Sequence, residues 1–114
     1  MHELSIVMGI VDIAAEQVRR AGAAQVERID LDIGELAGVE FDALDFAWRA
    51  GVRHTVLDRA ERHINRIPGR GRCMDCDTEF DLPELYHPCP NCGGFLAEVI
   101  RGKELRVKSL TVEG

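Results

Sequence analysis

The four cysteines of this chain fall into two matched pairs, Cys73-x2-Cys76 and Cys89-x2-Cys92, with twelve residues between the pairs and no cysteine left over. Each pair is a short knuckle that can aim two thiolates at one ion, and two knuckles complete the tetrahedral set that zinc prefers. Pro88, Pro90, Asn91, Gly93 and Gly94 supply turn chemistry around the second knuckle. Two disulfides or a redox-active C-x-x-C are the competing readings, and the latter needs a thioredoxin-like strand–helix–strand context that the flanking residues lack. The spacing therefore specifies a metal-stapled module and says little about its purpose.

A chain of 114 residues with 46% apolar content can build one small domain alongside such a module. No apolar run reaches membrane-spanning length, and Glu3 and Asp12 stand where a secretory leader would be basic. A cytoplasmic protein is expected, the compartment in which cysteines stay reduced and available to a metal. The net charge of −6 argues against general nucleic-acid binding, which needs many exposed cations. The charge is also uneven. Residues 27–45 carry seven acids against Arg28, and residues 49–72 carry seven arginines against Asp58 and Glu61. Two solvated faces that pair with each other are the plain reading of this asymmetry; a protein-docking surface is the sharper one.

The pattern Leu4, Val7, Met8, Val11, Ala14, Ala15, Val18 predicts an amphipathic helix from about Leu4 to Ala21, stopped by Gly22. Ile29, Leu31 and Ile33 alternate with Arg28, Asp30 and Asp32, the period of a strand with one buried face. A second helix is expected over residues 40–50, with Phe41, Leu44 and Trp48 inward and Glu40 and Asp42 at its positive end. Strands are expected over residues 60–67 and in the last segment, where Leu105 and Val107 fall out of phase with Leu110 and Val112 and call for a bulge near Lys108-Ser109. Gly69-Arg70-Gly71-Arg72 reads as a linker. The expected organisation is α+β: residues 1–68 and 101–114 form one domain, interrupted by a zinc-binding module at 69–100.

Met1-His2-Glu3 carries different chemistry. A free α-amine, the deprotonated amide nitrogen of His2 and its imidazole Nδ1 can close a five- and a six-membered ring about one ion, a set suited to square-planar Ni(II) or Cu(II). Glu3 could add a carboxylate or orient the ring. His54 and His63 read as surface or strand residues, and His87 as redundant beside four thiolates.

Taken with the two cysteine pairs, the segments Met1-His2-Glu3-Leu4-Ser5, Ile33-Gly34-Glu35-Leu36 running to Gly38-Val39-Glu40, Cys89-Pro90-Asn91-Cys92-Gly93 and Glu104-Leu105-Arg106-Val107-Lys108-Ser109-Leu110 closely resemble the HypA/HybF family of nickel-insertion proteins of NiFe-hydrogenase maturation. The resemblance covers essentially the whole chain. It implies two helices on a three-stranded antiparallel sheet with a zinc-ribbon-like insertion, transferable Ni(II) at Met1 and His2 with Glu3 close by, Glu40 as an acidic neighbour, and structural zinc on Cys73, Cys76, Cys89 and Cys92. It further implies a non-enzymatic metallochaperone, monomeric or weakly dimeric. Its partners would be a nickel-handling GTPase and the hydrogenase large-subunit precursor, with urease also served in some members and neither nucleic acid nor membrane involved. Some relatives place a histidine beside a cysteine of each pair. These flanks lack one, so acid-sensing by the zinc site is not expected. The alternative function is a zinc-ribbon module that binds protein or nucleic acid through the arginines of 49–72. No phosphate loop or nucleophile elbow points to an enzyme.

Overall fold

Helix α1 (Glu3–Ala21) buries Val7, Ile10, Val11, Ala14 and Val18 along one stripe, which is rotated from the expected one so that Ile10 joins it while Leu4, Met8 and Ala15 are exposed. It ends where Gly22 turns left-handed (φ 63°), and the amides of Gly22 and Ala23 return to the carbonyls of Arg19 and Val18. The computed structural model describes residues 2–114. Strand β1 (Gln25–Gly34) places Ile29, Leu31 and Ile33 in the core as the alternation requires, but Asp32 is buried as well, at 3% exposure. Helix α2 (Phe41–Gly51) is capped by the Glu40 carboxylate, which accepts the Asp42 N–H at 2.9 Å, and buries Leu44, Ala47 and Trp48. A turn braced by Thr55 and Leu57 leads to β2 (Glu61–Ile67).

Strands β2 and β6 (Leu105–Glu113) flank β1 in a three-stranded sheet of order β2-β1-β6. The β1–β6 pair is antiparallel, since Ala24 N–H donates to Glu113 O and Gly34 N–H to Glu104 O. Along β1 and β2 the cross-strand partners advance together: Arg28 with Glu61, Asp32 with Asn65, Glu35 with Ile67. These two strands therefore run parallel, the direction a helical crossover through α2 imposes, rather than antiparallel as the family resemblance implied. Half-buried Val107, Leu110 and Val112 keep the phase slip foreseen in β6.

The second sheet has order β4-β3-β5, with β3 (Arg70–Cys73) antiparallel to both β4 (Glu79–Asp81) and β5 (Ala97–Arg101). Its central strand is the segment read as a linker. Gly69 and Gly71 are buried, and a Cβ on Gly69 would sit 2.1 Å from Leu82 O. These glycines permit close backbone approach instead of providing flexibility. Around them Cys73, Phe80, Leu82 and Cys89 form a small core joined by Leu36, Cys76, Ala97 and Val99.

The chain divides into two compact units, the first taking in residues up to Leu31, Val39–Ile64 and Val107–Gly114, the second Asp32–Gly38 and Asn65–Arg106. The 35–36 segment is bonded into the second unit. Glu35 N–H donates to Ile67 O at 2.8 Å and Leu36 N–H to Gly102 O at 2.7 Å. No helix among the described residues is long and apolar enough to cross a membrane.

Candidate metal centre

The two knuckles repeat one hydrogen-bond pattern. In the first, Asp77 N–H donates to Cys73 O and Cys73 N–H to Thr78 O; in the second, Gly93 N–H donates to Cys89 O and Cys89 N–H to Gly94 O, all at 2.8–2.9 Å. The residue after the second cysteine is left-handed in each, Asp77 at φ 62° and Gly93 at φ 77°. Glycine suits the second of these positions for that reason, while an aspartate occupies the first at some steric cost. The knuckles differ in support: the first follows β3, and Met74 N–H bonds Leu96 O at 2.8 Å.

This geometry brings all four Sγ atoms within 4.8 Å of one another. Cys73 and Cys92 are 3.5 Å apart, Cys76 and Cys89 3.7 Å. A tetrahedral zinc with Zn–S bonds of ~2.3 Å requires sulfur–sulfur edges of ~3.8 Å, so the donor set fits that ion. Disulfides are absent, because bonded sulfurs stand only ~2.05 Å apart. His87 lies outside the cluster, with Nδ1 4.0 Å from Glu84 Oε1.

The surroundings favour thiolate at one corner. Asn91 Nδ2 donates to Cys76 Sγ at 3.5 Å and Thr78 Oγ1 lies 3.2 Å from it; these two side chains, helped by the Thr78 backbone, draw the Cys76 thiol down to about 6. At Cys92 the Gly94 N–H acts in the same direction, but the three neighbouring sulfurs and burial outweigh it and push that thiol up to about 12. A dication held by these four sulfurs would outweigh that upward shift and let all four ionise. Sequence reasoning counted Asn91 only as a turn residue. Its place in a C-P-N-C knuckle was visible, but its partner, fifteen residues away, was not.

At the other predicted centre, His2 is exposed at the N-cap of α1, its side chain making no capping bond and its carbonyl accepting the Ile6 N–H at 3.2 Å. Glu3 Oε2 accepts the Glu40 N–H at 3.2 Å, so the carboxylate opening α1 is tied to the residue that caps α2. That bond is the main reason the Glu3 carboxyl titrates below its ordinary range. Met1 lies outside the described residues. His54, left-handed at φ 61°, uses its backbone N–H on Asp58 Oδ2, and His63 belongs to β2.

Residues 1–112 match the family model described as HypA, hydrogenase/urease nickel incorporation, metallochaperone. The hydrogenase maturation factor HypA of Geotalea uraniireducens is 47% identical over 113 residues, covering 99% of this chain and 100% of that protein. The factor of the same name from Parabacteroides distasonis is 43% identical, covering 99% and 98%. Among solved structures, the solution structure of the Ni metallochaperone HypA from Helicobacter pylori matches with a TM-score of 0.71 at 25% identity, covering 99% of this chain and 98% of that one.

Proposed function

Since the chain belongs to the HypA family of hydrogenase maturation nickel metallochaperones, we propose that it carries Ni(II) on its N-terminus and delivers it to a maturing NiFe-hydrogenase. The ligands in this reading are the Met1 amine, the His2 amide nitrogen and the His2 imidazole, with Glu3 close by and Glu40 as its neighbour. The observation that carries it is the placement of His2 at an N-cap with its side chain free of any capping bond. An N-cap amide has no intrahelical acceptor, so deprotonating it to bind nickel breaks no helix hydrogen bond. The positive end of α1 disfavours a bare dication, but the deprotonated amide and the Glu3 carboxylate offset that field. Modest affinity and ready transfer follow from this balance. Anchoring Glu3 to the Glu40 amide keeps the helix start in place while the terminal nitrogens exchange.

Cys73, Cys76, Cys89 and Cys92 hold structural zinc in this proposal, and residues 1–68 with 101–114 act as the nickel domain while 69–100 provides the zinc module. Zinc here shapes a small core that has few apolar residues of its own. A nickel-handling GTPase and the hydrogenase large-subunit precursor are the partners expected in the cytoplasm, and service to urease is the further option. Nickel titration with X-ray absorption, on protein bearing an authentic N-terminus, tests the site. His2→Ala and a single added leading residue should each abolish nickel binding at this site; unchanged affinity in either would overturn the assignment.

A further inference from the structure

Helix α2 carries two stripes, and only one of them is used by the core. Leu44, Ala47 and Trp48 face inward, whereas Phe46, Arg49, Ala50 and Arg53 follow at i, i+3, i+4 and i+7 along the helix and the turn after it, and all four are exposed. Periodicity calls for a polar residue at position 46, yet Phe46 presents 76% of its surface to solvent. These four residues line an open groove of about 330 Å³.

The arginine-rich run is only partly neutralised by acids. Arg62 pairs with Asp45, Arg66 with Glu35, and Arg70 with Glu79 and Asp81. Arg49 and Arg53 enter no ion pair among the described residues. The helix dipole accounts for a cation at Arg49, in the last turn, but not for Arg53 beyond it or for the exposed ring between acids and arginines. Asp45, next to Phe46 in sequence, has its charge taken up by Arg62, so the groove keeps a local positive potential on a chain of net charge −6.

We propose that this groove docks an acidic segment of a partner protein, with the partner's carboxylates on Arg49 and Arg53 and an apolar side chain of the partner against Phe46 over the small Ala50. Guanidinium forks bind carboxylates bidentately, and an exposed aromatic flanked by arginines has the composition of an interface anchor. Nucleic acid is disfavoured because the two cations of this groove, on a chain of net charge −6, release few counterions. The proposal is independent of where nickel binds.

The test is selection of a displayed random twelve-residue peptide library on the full zinc-loaded chain, followed by fluorescence anisotropy of the enriched peptides. The comparison proteins are Arg49→Glu/Arg53→Glu, Phe46→Ala and Arg49→Lys/Arg53→Lys, all exposed sites, each checked for zinc content and circular dichroism. Enriched peptides should pair acids with an apolar residue and bind more weakly as salt rises. They should lose at least tenfold in affinity on the charge-reversed variant and severalfold on Phe46→Ala, with the lysine variant in between because it keeps the charge but not the fork. Three results would overturn the proposal: enrichment of neutral or basic peptides, equal binding to the charge-reversed protein, or equal or tighter binding of duplex DNA or anionic phosphatidylserine vesicles at the same residues. A concentration-dependent dimer lost on charge reversal would overturn it too, by making a second copy the occupant.

Discussion

Replacing Arg106 with alanine should cost about 2 kcal/mol of stability, an effect set by a carboxylate that cannot reach water. Asp32 receives Arg106 Nε on Oδ2 at 2.9 Å and Asn65 Nδ2 on Oδ1 at 3.1 Å. Its side chain is 4% exposed, while that of Arg106 is 64% exposed. A fully exposed ion pair is worth ~1 kcal/mol or less. A hydrogen bond to a buried charged group is worth ~1.5–3 kcal/mol, because the group left behind cannot regain its hydration. With the acceptor dry and the donor wet, the value falls between these limits and nearer the second. Urea unfolding of zinc-loaded protein, followed by far-UV circular dichroism, supplies the numbers through midpoint and slope. Asp32→Ala/Arg106→Ala should be close in stability to Asp32→Ala alone, a coupling of ~1.5–2 kcal/mol of the kind found between directly bonded residues. Arg106→Lys should recover only part of the loss. An Arg106→Ala protein within ~0.5 kcal/mol of the parent, the usual range for an unengaged surface residue, would refute the reasoning, as would strict additivity in the double variant.

Asn91→Ala removes the amide that favours Cys76 thiolate and should weaken zinc about tenfold in competition with a chromophoric chelator, the usual effect of losing a group that orients a ligand; unchanged affinity would deny Asn91 this role. Glu3 has its folded pKa lowered, chiefly by the Glu40 N–H, so its contribution to stability is complete above the unfolded value of 4.5 and disappears as pH falls through the lower folded value. The Glu40 amide proton, followed by NMR, should report a midpoint below 4.5 in the parent, no such step in Glu3→Gln, and loss of the bonded shift at all pH in Glu3→Ala; a midpoint at or above 4.5 would contradict the anchor. Gly34→Ala puts a Cβ 1.8 Å from Gly102 O, which backbone cannot yield, and should cost more than ~3 kcal/mol or prevent folding; wild-type thermal stability would show that the close approach is not there.

Local chemistry was legible along the chain. The C-x-x-C spacing gave the four-sulfur cluster, three- and four-residue apolar steps gave both helices to within a residue or two, and Gly22 marked the end of the first. Met1-His2-Glu3 offered a chelating sequence, of which the structure adds the exposed N-cap of His2 and the Glu3–Glu40 bond. Periodicity reports only which side of an element is apolar, so it put Asp32 on the solvent face of β1. Its burial depends on Asn65 and Arg106, thirty-three and seventy-four residues away. Strand direction is likewise a property of partners: nothing inside residues 61–67 says that they run parallel to β1, whereas the α2 crossover makes that pairing natural. Gly69 to Arg72 looked like a linker because glycine is most often used for freedom, and only Leu82 packed against the bare Cα positions shows that it is used for proximity. What the sequence determined by itself was therefore chemistry that repeats within a few residues of itself: ligand spacing, helix period and caps. What tertiary structure alone decided was which charges lose water, which strands face the same way and which arginines are left unpaired, because each depends on groups that only folding brings together.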